Sequence, residues 1–230
     1  MLVFIHGSGC TGSVFAAQTA AFPGSYAVDL PGRGNTPPIA GPVTIAAYAD
    51  SLERDLEARA IEGAVLCGNS MGGAVALECG LRNNPRISAI VMIGSGAKLR
   101  VAPALFESLE RDFEAGARGL APLFFAHPTP RLLEEAVTQM LGVGQARTLA
   151  DFHACDAFDA TERLPGLAIP LLALTGEQDR LTPGKFAAFL ADRVPGAEAR
   201  ILPETGHLAM VERPDETNAA LRAFVDRLIR

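Results

Sequence analysis

Residues 68 to 73 read Gly68-Asn69-Ser70-Met71-Gly72-Gly73, directly behind the apolar run Ala64-Val65-Leu66-Cys67. A glycine two before and two after a serine, with a strand ahead and a helix behind, is what a serine nucleophile requires. The turn that lifts the hydroxyl clear of the sheet is strained, and its flanks approach so closely that a Cβ would clash. The same turn sets the Met71 N–H at a helix start, where unpaired donors and the positive dipole end favour an oxyanion. A plain Gly-rich loop is the competing reading of these six residues. Three other segments decide between the two.

A nucleophilic serine needs a base, the base needs an orienting acid, and the oxyanion needs two donors. The base is read as His207, in Glu204-Thr205-Gly206-His207-Leu208 just after the last strand-like run. His127 and His153 fall in a helical region, where packed or solvated roles are expected of them. The acid is read as Asp179, in Gly176-Glu177-Gln178-Asp179 after the apolar run Leu171–Thr175. Its rival is Glu177, whose ordinary role would be a solvated surface charge. The order Ser, Asp, His along the chain is that of strand-end loops collected at one sheet edge. The second oxyanion donor is expected from His6-Gly7-Ser8-Gly9, as the N–H of Ser8 beside that of Met71. This segment lacks both G-x-G-x-x-G and a P-loop lysine, so a phosphate loop is disfavoured.

The elements that must position these groups follow from periodicity. Leu2–Ile5, Tyr26–Leu30, Ala64–Cys67, Ile87–Ile93, Leu171–Thr175 and Ala199–Leu202 are short runs, most of them apolar nearly throughout, as parallel strands covered on both faces should be. Helical spacing marks Thr44–Ala60 (Ile45, Tyr48, Leu52, Leu56, with Thr44 as N-cap), Met71–Arg82, Pro183–Ala191 and Asp215–Ile229. Alternating β and α on this scale predicts an α/β fold, a doubly wound and mainly parallel sheet. The stretch 97–165 breaks the alternation. It has no strand-like run, shows helical segments near Ala104–Ala117, Leu120–Phe125, Arg131–Leu141 and Ala146–Ala160, and carries Phe106, Phe113, Phe124, Phe125, Phe152 and Phe158, half of the twelve Phe. It reads as an all-helical lid inserted into a core formed by 1–96 and 166–230. Asp151, Asp156 and Asp159 within it are expected to be helix-surface charges. Phe124, Phe125, Phe152 and Leu208 are the candidate substrate contacts.

The 230 residues, 49% hydrophobic and 20% charged, suffice for one domain with a full core. A net charge of -6 without a basic block argues against nucleic acid and anionic membrane surfaces. No run reaches the length of a membrane span. Cys10, Cys67, Cys79 and Cys155 form no C-x-x-C and no zinc spacing with the histidines, so free thiols and a cytoplasmic location are expected, with no metal and no cofactor.

Taken together, His6-Gly7-Ser8-Gly9, Asp29-Leu30-Pro31-Gly32-Arg33-Gly34, the Ser70 segment, Gly176-Glu177-Gln178-Asp179 and Gly206-His207 through Pro214 resemble the α/β-hydrolase superfamily, in its lid-bearing branch of small esterases, lactonases and C–C bond hydrolases. The resemblance spans the chain except the lid and implies a Ser70, Asp179, His207 triad. It also sets two departures. The family's first two strands have no counterpart ahead of residue 6, so its usual strand order leaves Tyr26–Leu30 at a sheet edge. Either the chain forms a homodimer there, a loop or helix covers it, or the native gene begins upstream. The Ser70 segment is similar to that of C–C hydrolases, yet the Trp they carry after the histidine is Leu208 here, and the chain has no Trp.

The expected activity is that of a serine carboxylesterase acting on a small-molecule ester or related carbonyl substrate. A C–C bond or enol-lactone hydrolase is the alternative within the class. An acyltransferase, or a non-catalytic ligand receptor on the same fold, is the alternative outside it.

Overall fold

A computed structural model of the chain describes residues 1–228. The elements run β1 (Leu2–Ile5), α1 (Ala16–Ala21), β2 (Tyr26–Val28), α2 (Ile45–Ala58), β3 (Ala64–Asn69), α3 (Met71–Leu81), β4 (Ile87–Ile93), α4 (Pro103–Arg111), α5 (Phe113–Leu120), α6 (Pro130–Val143), α7 (Gln145–Ala157), β5 (Leu171–Gly176), α8 (Gly184–Arg193), β6 (Glu198–Leu202), α9 (Ala209–Glu212) and α10 (Pro214–Leu228). Ile229, the last residue of the expected final helix, lies outside the described residues.

The six strands form one sheet in the order β2-β1-β3-β4-β5-β6, and every pairing is parallel. Alternate residues of each central strand point to opposite sides. Val3, Ile5, Leu66, Ile90 and Met92 enter a core with α2 and α3. Phe4, Val65, Cys67, Val91 and Ile93 enter a second core with α10 and the helices after β4. Both faces being covered is why these strands read as unbroken apolar runs.

The expected edge position of the second strand is what the sheet has: among the described residues β2 pairs with β1 alone. It is shorter than its apolar run because Leu30 N–H leaves the ladder and donates to His6 Nε2 at 3.1 Å. Thr44 caps α2, its side chain accepting from Ala47 N–H. Between β4 and β5 the chain is helical, and its two ends meet: Ala160 N–H donates to Ala97 O at 2.8 Å, and Lys98 bridges to Asp159. The helix expected over Ala104–Ala117 is two helices, because Asp112 adopts extended backbone and its side chain caps α5 through Ala115 N–H. Leu120–Phe125 closes as a 3-10 turn over Ala121–Phe124, with Pro122 in its first turn.

Asp151 is a correction to the sequence reading. It is not a helix-surface charge: it is fully buried and ion-paired with Arg33. The spacing Thr148, Asp151, Cys155 puts it on the inward face of α7, with Thr148 and Cys155 also buried. Asp156 and Asp159 stay near the surface, where Asp159 pairs with Lys98 at 2.7 Å.

His6, the residue after β1, clips the edge strand β2 to its neighbour β1. Its Nδ1–H donates to Gly7 O at 2.9 Å while Nε2 accepts from Leu30, which fixes the neutral imidazole. Complete burial is the main cause that lowers its pKa from 6.5 to about 4. The unfolded chain therefore binds the proton more tightly than the native one. The stability His6 contributes is complete above about pH 6.5 and is lost as pH falls toward 4, by about 3 kcal/mol. Urea melts at pH 7, 5.5 and 4 should show this loss in the wild type. His6→Gln should be less stable at pH 7 but show a flatter dependence. Equal slopes for the two proteins would remove His6 as the cause.

Candidate active site

The end of β3 turns into α3 through Ser70, whose backbone sits at φ 52, ψ -117. Few non-glycine residues occupy this region. Four hydrogen bonds hold it: Ser70 N–H to Ile93 O at 2.9 Å, Gly73 and Ala74 N–H to Ser70 O, and Ser95 Oγ to Ser70 O at 2.7 Å. The flanking glycines are sterically required. A Cβ on Gly68 would lie 2.1 Å from Gly72 O, and one on Gly72 would lie 2.1 Å from Ile5 O. The helix start thus crosses directly over the end of β1. Met71 N–H, in the first turn of α3, has no intrahelical acceptor.

The loop after β1 lies against this turn, since a Cβ on Gly7 would sit 3.2 Å from Ser70 Cβ. Ser8 is nearly buried, and its Oγ contacts Met71 Sδ at 3.6 Å and Cys155 Sγ at 3.5 Å.

Two more strand ends deliver the histidine and the acid. His207 Nδ1–H donates to Asp179 Oδ2 at 2.9 Å, both side chains being almost wholly buried. Asp179 accepts further bonds: Leu181 N–H at 2.9 Å and Thr182 N–H at 2.8 Å on Oδ1, and Thr182 Oγ on Oδ2 at 2.7 Å. Burial acts to raise the Asp179 pKa. The His207 charge and hydrogen bond, with the Thr182 donors, outweigh it and bring the pKa down from 3.8 to about 2. The carboxylate therefore stays ionised across the whole range in which the protein would work. Glu177, the rival acid, is exposed and instead accepts Glu204 N–H at 3.3 Å. His127 pairs with Glu204 at the surface. His153 stacks on Phe106 at 4.4 Å.

Ser70 and His207 front one cavity of about 430 Å³, which Ser8, Phe124, Phe152 and Leu208 also line. Its wall is largely apolar, with residues between 98 and 155, from the loop before α4 and from the helices after it, facing the three strand ends. Phe124 stacks on the His207 ring at 6.2 Å. Phe125 is the one sequence-predicted contact placed elsewhere. Its backbone presses on Gly206, and it lines a neighbouring cavity of about 240 Å³. Among the described residues no group of three or more His, Cys, Asp or Glu side chains could hold a metal ion. No helix among them is long and apolar enough to cross a membrane.

Sequence reasoning missed four supporting residues. Asn69 Nδ2 donates to Ile93 O and, at 3.2 Å, to His207 O, tying the serine turn to the histidine loop. Glu212 accepts from Gly206, Ala126 and His127 N–H and sets that loop. Gly94, at φ 52, leaves room that a Cβ would take, 3.0 Å from Asp179 Oδ2 and 3.1 Å from His207 Nδ1. Thr182 is the fourth. Only Asn69 and Glu212 carried a signal, as members of the segments that mark the resemblance.

A parallel sheet whose strand-end loops bring a serine, a histidine and an aspartate together is the architecture of an α/β hydrolase. The sequence pattern of the Alpha/beta hydrolase family matches residues 2–220, and the chain belongs to that family. It is 28% identical to the pimeloyl-[acyl-carrier protein] methyl ester esterase of Stenotrophomonas maltophilia (strain K279a), over 99% of this chain and 93% of that protein. Among solved structures it is similar to a thermophilic esterase, with a TM-score of 0.91 and 31% identity over 99% of this chain and 90% of that one. The enol-lactonase of Burkholderia xenovorans LB400 shares the fold, with a TM-score of 0.89 and 23% identity over 98% of this chain and 90% of that one.

The close backbone crossing makes a stability prediction. Gly68→Ala must move backbone and should cost roughly 1–3 kcal/mol or more. Gly119→Ala, in α5 where an added Cβ meets nothing within 4 Å, should stabilise by about 0.5–1 kcal/mol. Urea melts of the two variants beside wild type measure both; similar small effects would mean the crossing is not tight.

Proposed function

We propose that this chain is a serine carboxylesterase that cleaves small carboxylic esters through an acyl-enzyme on Ser70. The observation that carries the reading is the strained Ser70 turn opening into the same apolar cavity as the buried His207–Asp179 pair. Ser70 Oγ attacks the ester carbonyl and its proton passes to His207 Nε2, the nitrogen left free by the bond from Nδ1 to Asp179. The N–H groups of Ser8 and Met71 receive the oxyanion. His207 returns the proton to the leaving alkoxide, and Ser70 keeps the acyl group. Water then attacks, His207 takes its proton, and the carboxylic acid departs as Ser70 is reprotonated. Asp179 holds the imidazole in the required tautomer and stabilises its cation.

The relatives support ester cleavage: two of them carry names of esterases, and they match almost end to end. Leu208 in place of Trp after the histidine, together with the lack of any Trp, argues against C–C bond cleavage. Residues 97–165 act as the lid in this reading, roofing the acyl site with Phe124 and Phe152 over a core of 1–96 and 166–230.

Ser70→Ala should lower kcat by about 10⁶-fold and Asp179→Asn by about 10⁴-fold, measured on p-nitrophenyl esters in a host lacking esterases. Ser70→Ala with most of its activity intact would end the proposal.

The base must be neutral and the acid is ionised down to about pH 2. Activity should therefore rise through a single ionisation between acid and neutral pH, with no carboxylate limb near pH 4. A rate flat from pH 5 to 8 in folded protein would exclude His207 as base.

Each methylene buried in the cavity contributes up to about 0.8 kcal/mol until the space is filled. The chain-length profile of kcat/KM should therefore peak at short to medium acyl groups. Phe124→Ala and Phe152→Ala should shift that optimum, whereas Phe125→Ala should leave it in place. Superimposable profiles for all four proteins would mean these rings only pack the helices.

A further inference from the structure

One fully buried ion pair has no part in the chemistry above. Asp151, on α7, accepts three hydrogen bonds, one from each of three segments of the core. Its Oδ2 accepts from Arg33 Nη2 and, at 3.1 Å, from Gly9 N–H, and its Oδ1 accepts from Tyr48 Oη at 2.6 Å.

 A further bond closes the network between two of these donors, Arg33 Nη1 to Tyr48 Oη at 3.0 Å. Arg33 belongs to the Asp29–Gly34 turn after β2, and Tyr48 to α2. A buried charge pair of this kind is weak evidence for stability in itself, because apolar residues of similar volume often serve as well. What distinguishes it is the bond to Gly9.

Gly9 closes the loop that carries Ser8. The peptide between Gly7 and Ser8 is fixed at its oxygen, where Gly7 O accepts from His6 Nδ1–H at 2.9 Å and from Cys10 N–H at 3.4 Å. The N–H at its other end is that of Ser8. The next peptide, Ser8 to Gly9, is fixed at its nitrogen by Asp151 alone. Gly9 sits at φ +66, a conformation that only glycine adopts freely, and a Cβ there would lie 3.2 Å from Met140 Cγ. The loop therefore has little side-chain packing of its own to hold it, and hydrogen bonds at both peptides set its orientation. Oxyanion donors act over a narrow range of distance, so small rotations of this loop matter.

We infer that Asp151 is a positioning residue for the oxyanion loop, reaching from the inserted helices to the Gly9 N–H and so fixing the peptide next to the Ser8 donor. This rests on the proposed serine-esterase reading. Arg33 holds the carboxylate in place through the same oxygen, while Tyr48 satisfies the other one. The insertion, on this account, completes the oxyanion site besides roofing the cavity.

The test compares two double variants that both lose the ion pair. R33M/D151N keeps an oxygen for Gly9 N–H, with its amide group facing Tyr48 Oη. R33M/D151L keeps the volume but offers no acceptor. The probe is a fluorophosphonate, which forms the Ser70 Oγ–P bond, expels fluoride and passes the serine proton to His207, through the same oxyanion donors. Labelling rates, and kcat and KM on a p-nitrophenyl ester, are measured well below the melting temperature of the weakest protein. R33M/D151L should label about tenfold to a hundredfold more slowly than wild type and lose kcat in proportion, with KM within about twofold. R33M/D151N should recover most of that loss. Tyr48→Phe removes two bonds of the network but leaves Asp151 Oδ2 with Arg33 and Gly9, so it should lower the melting temperature yet label within about twofold of wild type. Equal labelling of the two double variants, or a Tyr48→Phe loss as large as that of R33M/D151L, would overturn the inference while leaving the esterase reading intact. A wild type that is not labelled at Ser70 would overturn both.

Discussion

Ser70 is held at φ 52, ψ -117, a backbone state that costs a non-glycine residue of order 1–3 kcal/mol. The surroundings leave the chain no other path. The helix that follows crosses so close over the carbonyl of Ile5 that Gly72 cannot carry a Cβ, and its first turn folds back so tightly on Gly68 that this residue cannot carry one either. β1 and β3 are adjacent and parallel, which brings the loop after β1 and the turn after β3 to the same edge. The pieces of the site therefore come into register because two neighbouring strands end together. The burial of alternate side chains on both faces of the sheet holds those strands in place.

The histidine and the acid depend on the same edge from its other side. β4 ends at Ile93 and Gly94, and that glycine leaves the space in which the Asp179 carboxylate and the His207 ring meet. Asn69 reaches from the serine turn to the His207 backbone, so the three loops are cross-linked by hydrogen bonds rather than merely adjacent. The low pKa of Asp179 has local causes: burial ordinarily pushes a carboxylate upward, and the charge and hydrogen bond of His207 from the neighbouring loop, with the Thr182 donors of its own loop, reverse the direction.

Local features were legible in the sequence. The glycine spacing around Ser70, the Thr44 cap and the two-sided apolar strands all write themselves into adjacent residues, and the structure has them where they were read. Features that depend on a distant partner were not. Asp151 looks like any acid in a polar helix until Arg33, far away in the chain, is brought against it; the only local trace is its helical spacing with Thr148 and Cys155. The Leu30 N–H would have continued β2 had His6 not captured it. The cap at Asp112 divides a stretch whose apolar period runs on without interruption. Phe125 and Phe124 are adjacent in sequence, yet only one faces the cavity with Ser70, because a turn sends consecutive side chains in different directions.

The central claim is that Ser70 carries the acyl group during turnover. Acid quenching during hydrolysis of p-nitrophenyl acetate, followed by peptide mass spectrometry, tests it most directly. The account predicts one acetyl group on the peptide containing Ser70, forming in step with the first burst of p-nitrophenol and lost on the timescale of the slower deacylation. Sustained hydrolysis with the acetyl group on another residue, or with an acetyl-free Ser70 in a Ser70-dependent burst, would contradict it.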